Sequence, residues 1–310
     1  MESPETVIRH DRVAMRNIKF LIAVLAGLFT LFAPDTAQAW GAGIHVAQGS
    51  FILDNLRLIA PNVAAVLATS PYDYIYGCIS ADIFIGKGHK RHDDHCHNWS
   101  VGFAVLEEAT DNSTKAYAYG YLTHLAADII AHNYFIPHLL YSTSATKRLG
   151  HIYWEFRADR FIAKKYWTLA SKVVSMHNDQ NDTLIRKVVK KSHRGFGAKK
   201  VVFKRALKMS DIINWRKHVE GAKNSRNKIT RKDVSLMNNY SLNLIIDMLL
   251  KGEQSFCLRY DPVGTDNTNN SKLIRRSHIM RLKMRRTNRI FPTPPEIIDV
   301  KHIDHETERL

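Results

Sequence analysis

The sequence predicts an all-α protein. Apolar residues recur at the three- and four-residue spacing of a helix in several segments, and no segment shows the apolar–polar alternation of a half-buried strand. With 310 residues, of which 45% are hydrophobic, the chain is long enough for one large domain or two small ones and can form a buried core. This composition excludes a wholly disordered chain. The segments with helical spacing are 44–68, 101–110, 116–135, 151–174, 199–218 and 234–250.

The first 39 residues have the pattern of an export signal. Arg16 and Lys19 precede an apolar run over residues 20–33, and small residues suited to cleavage follow at 37–39. The run is short for a bilayer span, although an uncleaved anchor or a short buried helix would share its pattern. Because the stretch before Met15 is polar, translation starts at either Met1 or Met15. We expect residues 1–39 to be a signal peptide, and the protein to be exported to the periplasm or secreted.

The rest of the chain divides into a helical domain and a tail. Pro61 is expected to kink or divide the first helical segment. Residues 71–99 combine glycines and prolines with a run of histidines and charges that has no period, which predicts loops. After residue 255 the composition becomes polar and then basic, which predicts a disordered tail. The expected organisation is therefore a helical domain over 40–255 and a basic, partly disordered tail over 256–310.

The positive charge is confined to the C-terminal part. Lysine and arginine exceed aspartate and glutamate by 16, and because residues 1–180 are balanced, the whole excess falls in 181–310. Such a surface suits anionic lipid or nucleic acid, and a solvated tail without a partner is the remaining alternative. The three cysteines are too few for a disulfide-rich scaffold and fit no zinc ribbon. Histidine is unusually concentrated, because nine of the sixteen lie between His45 and His151.

One helical segment carries three polar residues at a spacing of four. His124, Asp128 and His132 share one face of a helix that otherwise consists largely of small and apolar residues. A buried carboxylate beside two imidazoles is costly unless a cation compensates the charge. The alternatives are a solvent-facing polar stripe and a hydrogen-bonded His–Asp–His cluster. Three such residues at this spacing favour a metal site.

A second pair, His151 and Glu155, repeats the four-residue spacing on the next helical segment. Imidazole nitrogen and carboxylate oxygen form a ligand set that zinc accepts. The N-terminal part offers further ligands in His45, Asp82, His95 and His97. One metal cannot use all of these residues, so the pattern indicates a site for several ions.

These residues resemble the bacterial zinc-dependent phospholipases C, which are all-helical exported enzymes with a cluster of three zinc ions. The resemblance covers residues 40 to about 160. It implies a multi-helix bundle and a site in which Trp40, as the mature N-terminus, binds zinc through its α-amino and carbonyl groups. The matching positions are His45, the loop residue Asp82, one of His95 and His97, the pair His124 and bridging Asp128, then His132, His151 and Glu155.

The resemblance leaves two ligand positions open. Asp128 and His132 are closer in sequence than the corresponding residues of the best-known members, so His138 is the alternative to His132. The loop offers both His95 and His97, and spacing does not choose between them. Cys96 between them is interpreted as a packing residue or a neighbour of the ligands.

The resemblance implies hydrolysis of a phosphodiester by clustered zinc ions, with Asp82 as ligand and candidate general base. If the substrate is a phospholipid, the products are diacylglycerol and the phosphorylated head group. The alternatives are a related zinc-dependent nuclease or nucleotidase and a non-enzymatic metal-binding envelope protein. We expect a phospholipid or another phosphodiester as substrate and an anionic membrane as partner of the basic C-terminal region, with nucleic acid as the alternative.

Overall fold

Twelve α-helices and no strand occur in the described part of the chain, which confirms the predicted all-α class. The computed structural model describes residues 40–84, 95–142, 154–155, 157–189, 195–212, 229–280 and 291–303. All of them belong to one compact unit. The predicted signal peptide and His151 lie outside the described residues. Within these limits, no helix is both long enough and apolar enough to span a bilayer.

The helices follow one another with short connections. In chain order they are α1 (Ala42–Asp54), α2 (Pro61–Thr69), α3 (Pro71–Ser80), α4 (Trp99–Glu107), α5 (Asn112–Ile130), α6 (Ile136–Ser142), α7 (Lys164–Ser175), α8 (Asp179–Val188), α9 (Phe196–Ile212), α10 (Arg231–Lys251), α11 (Thr265–Met280) and α12 (Pro295–Ile298). A π-helix, Ala131–Phe135, joins α5 to α6. Short 3-10 helices cover Leu56–Leu58, Ala81–Phe84, Gly252–Gln254 and Phe256–Arg259.

Proline divides the first helical segment, as the sequence predicted. Pro61 is the first residue of α2, where its missing N–H costs no hydrogen bond. The predicted loop over 71–99 is wrong at its start, because α3 begins with Pro71 and continues to Ser80. This sequence contains three tyrosines and Gly77, so it shows little of the periodicity that marks a helix. Its helical state depends on packing.

Two glycines allow α3 and α5 to pack in close contact. A Cβ on Gly77 would overlap the carbonyl oxygen of Tyr117, and a Cβ on Gly120 would overlap that of Tyr74. Glycine is therefore needed at both positions for the approach of the two backbones. This contact brings the C-terminal end of α3 beside the middle of α5.

α5 and α10 have well-formed N-termini and pack against each other in the core. Asp111 caps α5 by accepting from the Thr114 amide at 2.9 Å, and Thr230 caps α10 by accepting from the Asp233 amide at 3.2 Å. In each capping box the third residue also accepts from the backbone N–H of the cap residue. Each cap fixes where its helix begins and therefore which side chains face the core.

The C-terminal part is not a detached tail. Cys257 and Val263 are buried, and α11 packs against α6 and the π-helix. Buried Asp247 in α10 accepts from the Ser255 hydroxyl at 2.6 Å and the Phe256 amide at 3.0 Å. Residues 256–280 and 291–303 thus fold as part of the compact unit, and disorder of the other tail residues stays a prediction. Polar contacts with the core hold these residues, and a search for apolar periodicity does not detect such contacts.

Candidate metal centre

Asp128 lies at the centre of a buried cluster of imidazoles. Its Oδ2 is 3.2 Å from Nε2 of His124 and 3.4 Å from Nε2 of His132, while its Oδ1 is 3.3 Å from Nε2 of His45. All four side chains are at most 1% exposed. Helix α5 supplies His124 and Asp128, the π-helix supplies His132, and α1 supplies His45. The structure therefore brings the predicted His-Asp-His series together with a histidine from the start of the helical domain.

Asp82 and His97 form the adjoining side of the cluster. Nε2 of His97 lies 3.4 Å from Oδ1 of Asp82, 3.1 Å from Nε2 of His124 and 3.6 Å from Oδ2 of Asp128. Oδ1 of Asp82 is 3.8 Å from Nε2 of His124. Asp82 reaches this position because the 3-10 helix Ala81–Phe84 continues directly from α3, which is in close contact with α5.

The two loop histidines have different surroundings. His97 is buried and contacts Asp82 and His124. His95 is only partly buried, and its Nδ1 accepts from the backbone N–H of His97 at 3.1 Å. The Cys96 sulfur is 3.2 Å from Nδ1 of His97, on the side of that ring away from Nε2. His97 therefore belongs to the Asp128 cluster, while His95, Cys96 and His97 together form a further group with metal-binding geometry.

The position of His132 is set by a π-helix and by contacts with the C-terminal part of the chain. The π-helix starts one residue before it, a feature that often marks functional sites. Gly264, at φ +60°, packs directly on the carbonyl oxygen of His132. The side-chain amide of Asn133 donates a hydrogen bond to the backbone carbonyl of Asp261 at 2.8 Å. His138, the alternative to His132, is partly buried in α6.

Trp40 and Glu155 are buried near this centre. Trp40 is fully buried, its indole donates to the Ser241 hydroxyl at 3.2 Å, and its ring centroid lies 4.8 Å from that of Phe135. Glu155 is 4% exposed, and burial, followed by the nearby carboxylates of Asp82, Asp159 and Asp128, raises its pKa well above the usual range. Its predicted partner His151 lies outside the described residues.

Four buried carboxyl groups determine the electrostatics of the cluster. Four carboxyl groups, those of Asp82, Asp128, Glu155 and Asp159, are each at most 4% exposed. Burial raises the pKa of Asp159 to about 8, although the backbone amides of Ile44 and Gly43 lower it in part. Burial also acts to raise the pKa of Asp128, but His124 and His132 outweigh it and hold that pKa well below its usual range. A carboxyl group at this depth is either neutral or paired with a positive group, and a bound metal cation would hold these groups in the charged form.

The donor atoms fit zinc. Neither oxygen of Asp128 nor either ring nitrogen of His45 has a hydrogen bond of ordinary geometry. Two ligands bound about 2.0–2.1 Å from a tetrahedral zinc ion lie about 3.3 Å apart. The distances from Asp128 to His45, His124 and His132 are close to this value. Two groups, one of His45, His124 and Asp128 and one of Asp82, His97 and His124, each bring three donor atoms within 4.8 Å of one another. The nitrogen and oxygen donors are those that zinc accepts.

Sequence reasoning missed two parts of this centre. The Cys78 carbonyl oxygen accepts a hydrogen bond from Nδ1 of His124 at 2.9 Å, a main-chain contact that no side-chain pattern indicates. Asp159 is 3% exposed and lies beside the first turn of α1. The sequence spacing could have indicated Asp159, because it follows Glu155 by the same four residues that separate Glu155 from His151.

The comparison with protein families agrees with this centre. The family described as zinc dependent phospholipase C matches residues 44–198, half of the chain. The match begins after Trp40 and extends beyond the end expected near residue 160, into α9. Searches of curated proteins and of solved structures found no match.

Proposed function

The chain belongs to the zinc-dependent phospholipase C family, and from this membership we propose that it cleaves phospholipid into diacylglycerol and the phosphorylated head group. As a family member it is a zinc-dependent phosphoric diester hydrolase. The observation that carries the proposal is the position of Asp128, whose two carboxylate oxygens lie between three imidazole Nε2 atoms in the core. The predicted ligands Trp40, His95, His97, His151 and Glu155 complete the proposed centre around three zinc ions.

The proposed reaction is attack of water on phosphorus, with departure of the glycerol oxygen. Zinc bound there would supply Lewis acidity that lowers the pKa of water and stabilises charge on the phosphate oxygens. Asp82 would orient the attacking water and accept its proton, because Oδ1 of Asp82 is buried beside His97 and His124 and has no hydrogen bond of ordinary geometry. The proton then reaches the departing glycerol oxygen, which gives diacylglycerol.

The basic C-terminal region is proposed to contact an anionic membrane through α9. Val201 and Val202 are 48% and 42% exposed, and the neighbouring Arg205 and Lys208 are also exposed. Phe203 and Leu207 on the opposite face are buried. Exposed apolar residues flanked by cations favour an interface with anionic lipid. Helix α9 also packs against the 3-10 helix that carries Asp82, so lipid bound there would lie near the proposed site.

Export is also proposed, with cleavage before Trp40 and a final position in the periplasm or outside the cell. The sequence pattern of residues 1–39 supports it. Fractionation of cells that produce the full-length chain, followed by N-terminal sequencing, tests this proposal. Uncleaved protein retained in the cytoplasm would contradict it.

The central experiment compares substrates with one zinc-loaded preparation of the mature protein. Phosphatidylcholine vesicles should yield diacylglycerol and phosphocholine, and the Asp82→Asn variant should lose this activity while the exposed Asp179→Asn control keeps it. Faster cleavage of single-stranded DNA without release of diacylglycerol would establish the nuclease alternative. Bound zinc with no hydrolysis of either substrate would indicate a metal-binding protein without enzymatic activity.

A further inference from the structure

The carboxyl group of Asp159 packs directly against the backbone at the start of α1. A Cβ on Gly41 would lie 2.5 Å from Cγ of Asp159 and would overlap Oδ2. The Gly41 backbone has φ −73°, which any residue adopts, so its conformation does not require glycine. Glycine is needed because there is no room for a side chain. The carboxylate of Asp159 thus occupies the space that a side chain at position 41 would fill.

This carboxylate faces an uncapped helix N-terminus. Gly41 is the N-cap residue of α1 and offers no side-chain acceptor. The backbone amides of Gly43 and Ile44 approach Asp159, yet neither of its oxygens has a hydrogen bond of ordinary geometry. A side-chain oxygen at a helix N-terminus can satisfy backbone amides that have no partner within the helix. Asp159, from another part of the chain, therefore lies at the place where a capping side chain would stand and packs on the helix start that Gly41 leaves without one.

The contact joins two parts of the metal centre. Trp40 immediately precedes Gly41, and His45 lies in the next turn of α1 with its Nε2 3.3 Å from Asp128. On the other side, Glu155 precedes Asp159 by four residues in the sequence. We propose that Asp159 is a positioning residue, whose contact with Gly41 holds Trp40 and His45 in register with Glu155 for zinc binding.

The test measures zinc affinity in metal-stripped protein, by competition with a chromogenic chelator, beside the thermal stability of the metal-free form. This inference uses the proposed function only in taking zinc as the ligand. Asp159→Ala should weaken zinc binding by about 10- to 100-fold, as loss of an outer partner of a metal ligand does. Asp159→Asn keeps the size and one acceptor oxygen, so its zinc affinity should stay near that of the unaltered protein.

Glycine variants distinguish positioning from general destabilisation. Gly41→Ala should weaken zinc binding, and combining it with Asp159→Ala should add little, because both changes break one contact. Gly49→Ala is the matched control in the same helix, since its Cβ would meet the side chains of Cys78 and Ile75 at 2.9 Å and no atom of Asp159. Its effect should add to that of Asp159→Ala.

Three results would overturn the inference. They are unaltered zinc affinity in Asp159→Ala, additive effects of Gly41→Ala and Asp159→Ala, and a loss in Asp159→Asn as large as in Asp159→Ala. The last result would make Asp159 act through its charge. If zinc binds as expected but no lipid is cleaved, the proposed function fails while the positioning role of Asp159 stands.

Discussion

His124 donates a hydrogen bond from Nδ1 to the carbonyl oxygen of Cys78 at 2.9 Å. A carbonyl oxygen only accepts, so this contact places the proton on Nδ1 and leaves Nε2 with a lone pair when the ring is neutral. Nε2 is the atom that faces Asp128, Asp82 and His97. The close packing of α3 on α5 thus sets the tautomer in which His124 can bind a metal.

Replacing Asp128 by Asn should remove metal and activity together. The substitution preserves shape but removes the negative charge that three imidazoles surround. Hydrolysis should fall by more than about 100-fold, the upper end of what outer partners of metal ligands cost, and zinc content should fall in parallel. His124→Ala and Glu155→Ala should also lose zinc. Near-normal zinc content and rate in Asp128→Asn would show that this helix face is structural.

Zinc should co-purify with the mature protein at more than one equivalent, because the donors form at least two groups with metal-binding geometry in the described residues. Elemental analysis measures the content, and a chelator should abolish hydrolysis of diesters. Adding zinc back should restore it. Full activity in protein shown to be free of metal would contradict the zinc-dependent mechanism.

The free amino terminus of Trp40 should matter separately from its side chain. An α-amino group has an ordinary pKa of about 7.7–8.0 and can bind zinc when deprotonated, whereas an amide nitrogen does not replace it. Protein with one extra residue before Trp40 should therefore lose one zinc ion and most of its activity. Trp40→Phe keeps the amine and should be milder. Equal zinc content and rates in the extended and cleaved forms would exclude Trp40 as a ligand.

Gly264→Ala should lower zinc binding at the centre, although Gly264 is far from the predicted ligands in sequence. A left-handed conformation costs a non-glycine residue about 1–3 kcal/mol, and here the added methyl also overlaps the His132 carbonyl. Gly252→Ala is the matched control, because Gly252 also has positive φ but nothing lies within 4 Å of its Cβ position. Gly264→Ala should lower both the melting temperature and the zinc content, and the control only the former. Equal zinc content in both variants would show that Gly264 does not contribute to metal binding.

Cys78 and Cys257 should resist alkylation in the native protein. Burial raises the pKa of Cys257 to about 12 and raises that of Cys78 further. Since the thiolate is the reactive form, little of either thiol is reactive at pH 8. Mass spectrometry after iodoacetamide treatment should find these cysteines modified only in denaturant. Rapid modification of Cys257 in the native protein would contradict its buried position.

The sequence indicated most of the centre because its ligands lie at helical spacing. His124, Asp128 and His132 could be placed on one face without a structure, and the structure puts them there. The choice between His95 and His97 could not be made, because adjacent loop residues have no fixed orientation. Asp159 continues the four-residue spacing of His151 and Glu155, but its contact with Gly41, which lies far away in sequence, could not be predicted.

Helix α3 and the C-terminal segment show a second limit of sequence reasoning. Periodicity detects helices with one apolar face, but α3 is mostly buried and its close contact depends on Gly77. The segment after residue 255 has the polar composition of a disordered tail. It is nevertheless held in place by hydrogen bonds to Asp247 and Asn243. In both cases tertiary contacts determine the structure more than local pattern does.

The contact between Gly264 and His132 links the order of folding to the metal centre. These residues are separated by most of the second half of the chain, so this closure has a high contact order and is expected to form late. Helices α1, α3 and α5 can associate earlier, because their contacts are closer in sequence. We expect the imidazole of His132 to reach its supported position only after residues 261–264 have docked. Stable binding of a metal by this histidine would then wait until the C-terminal part of the domain has folded.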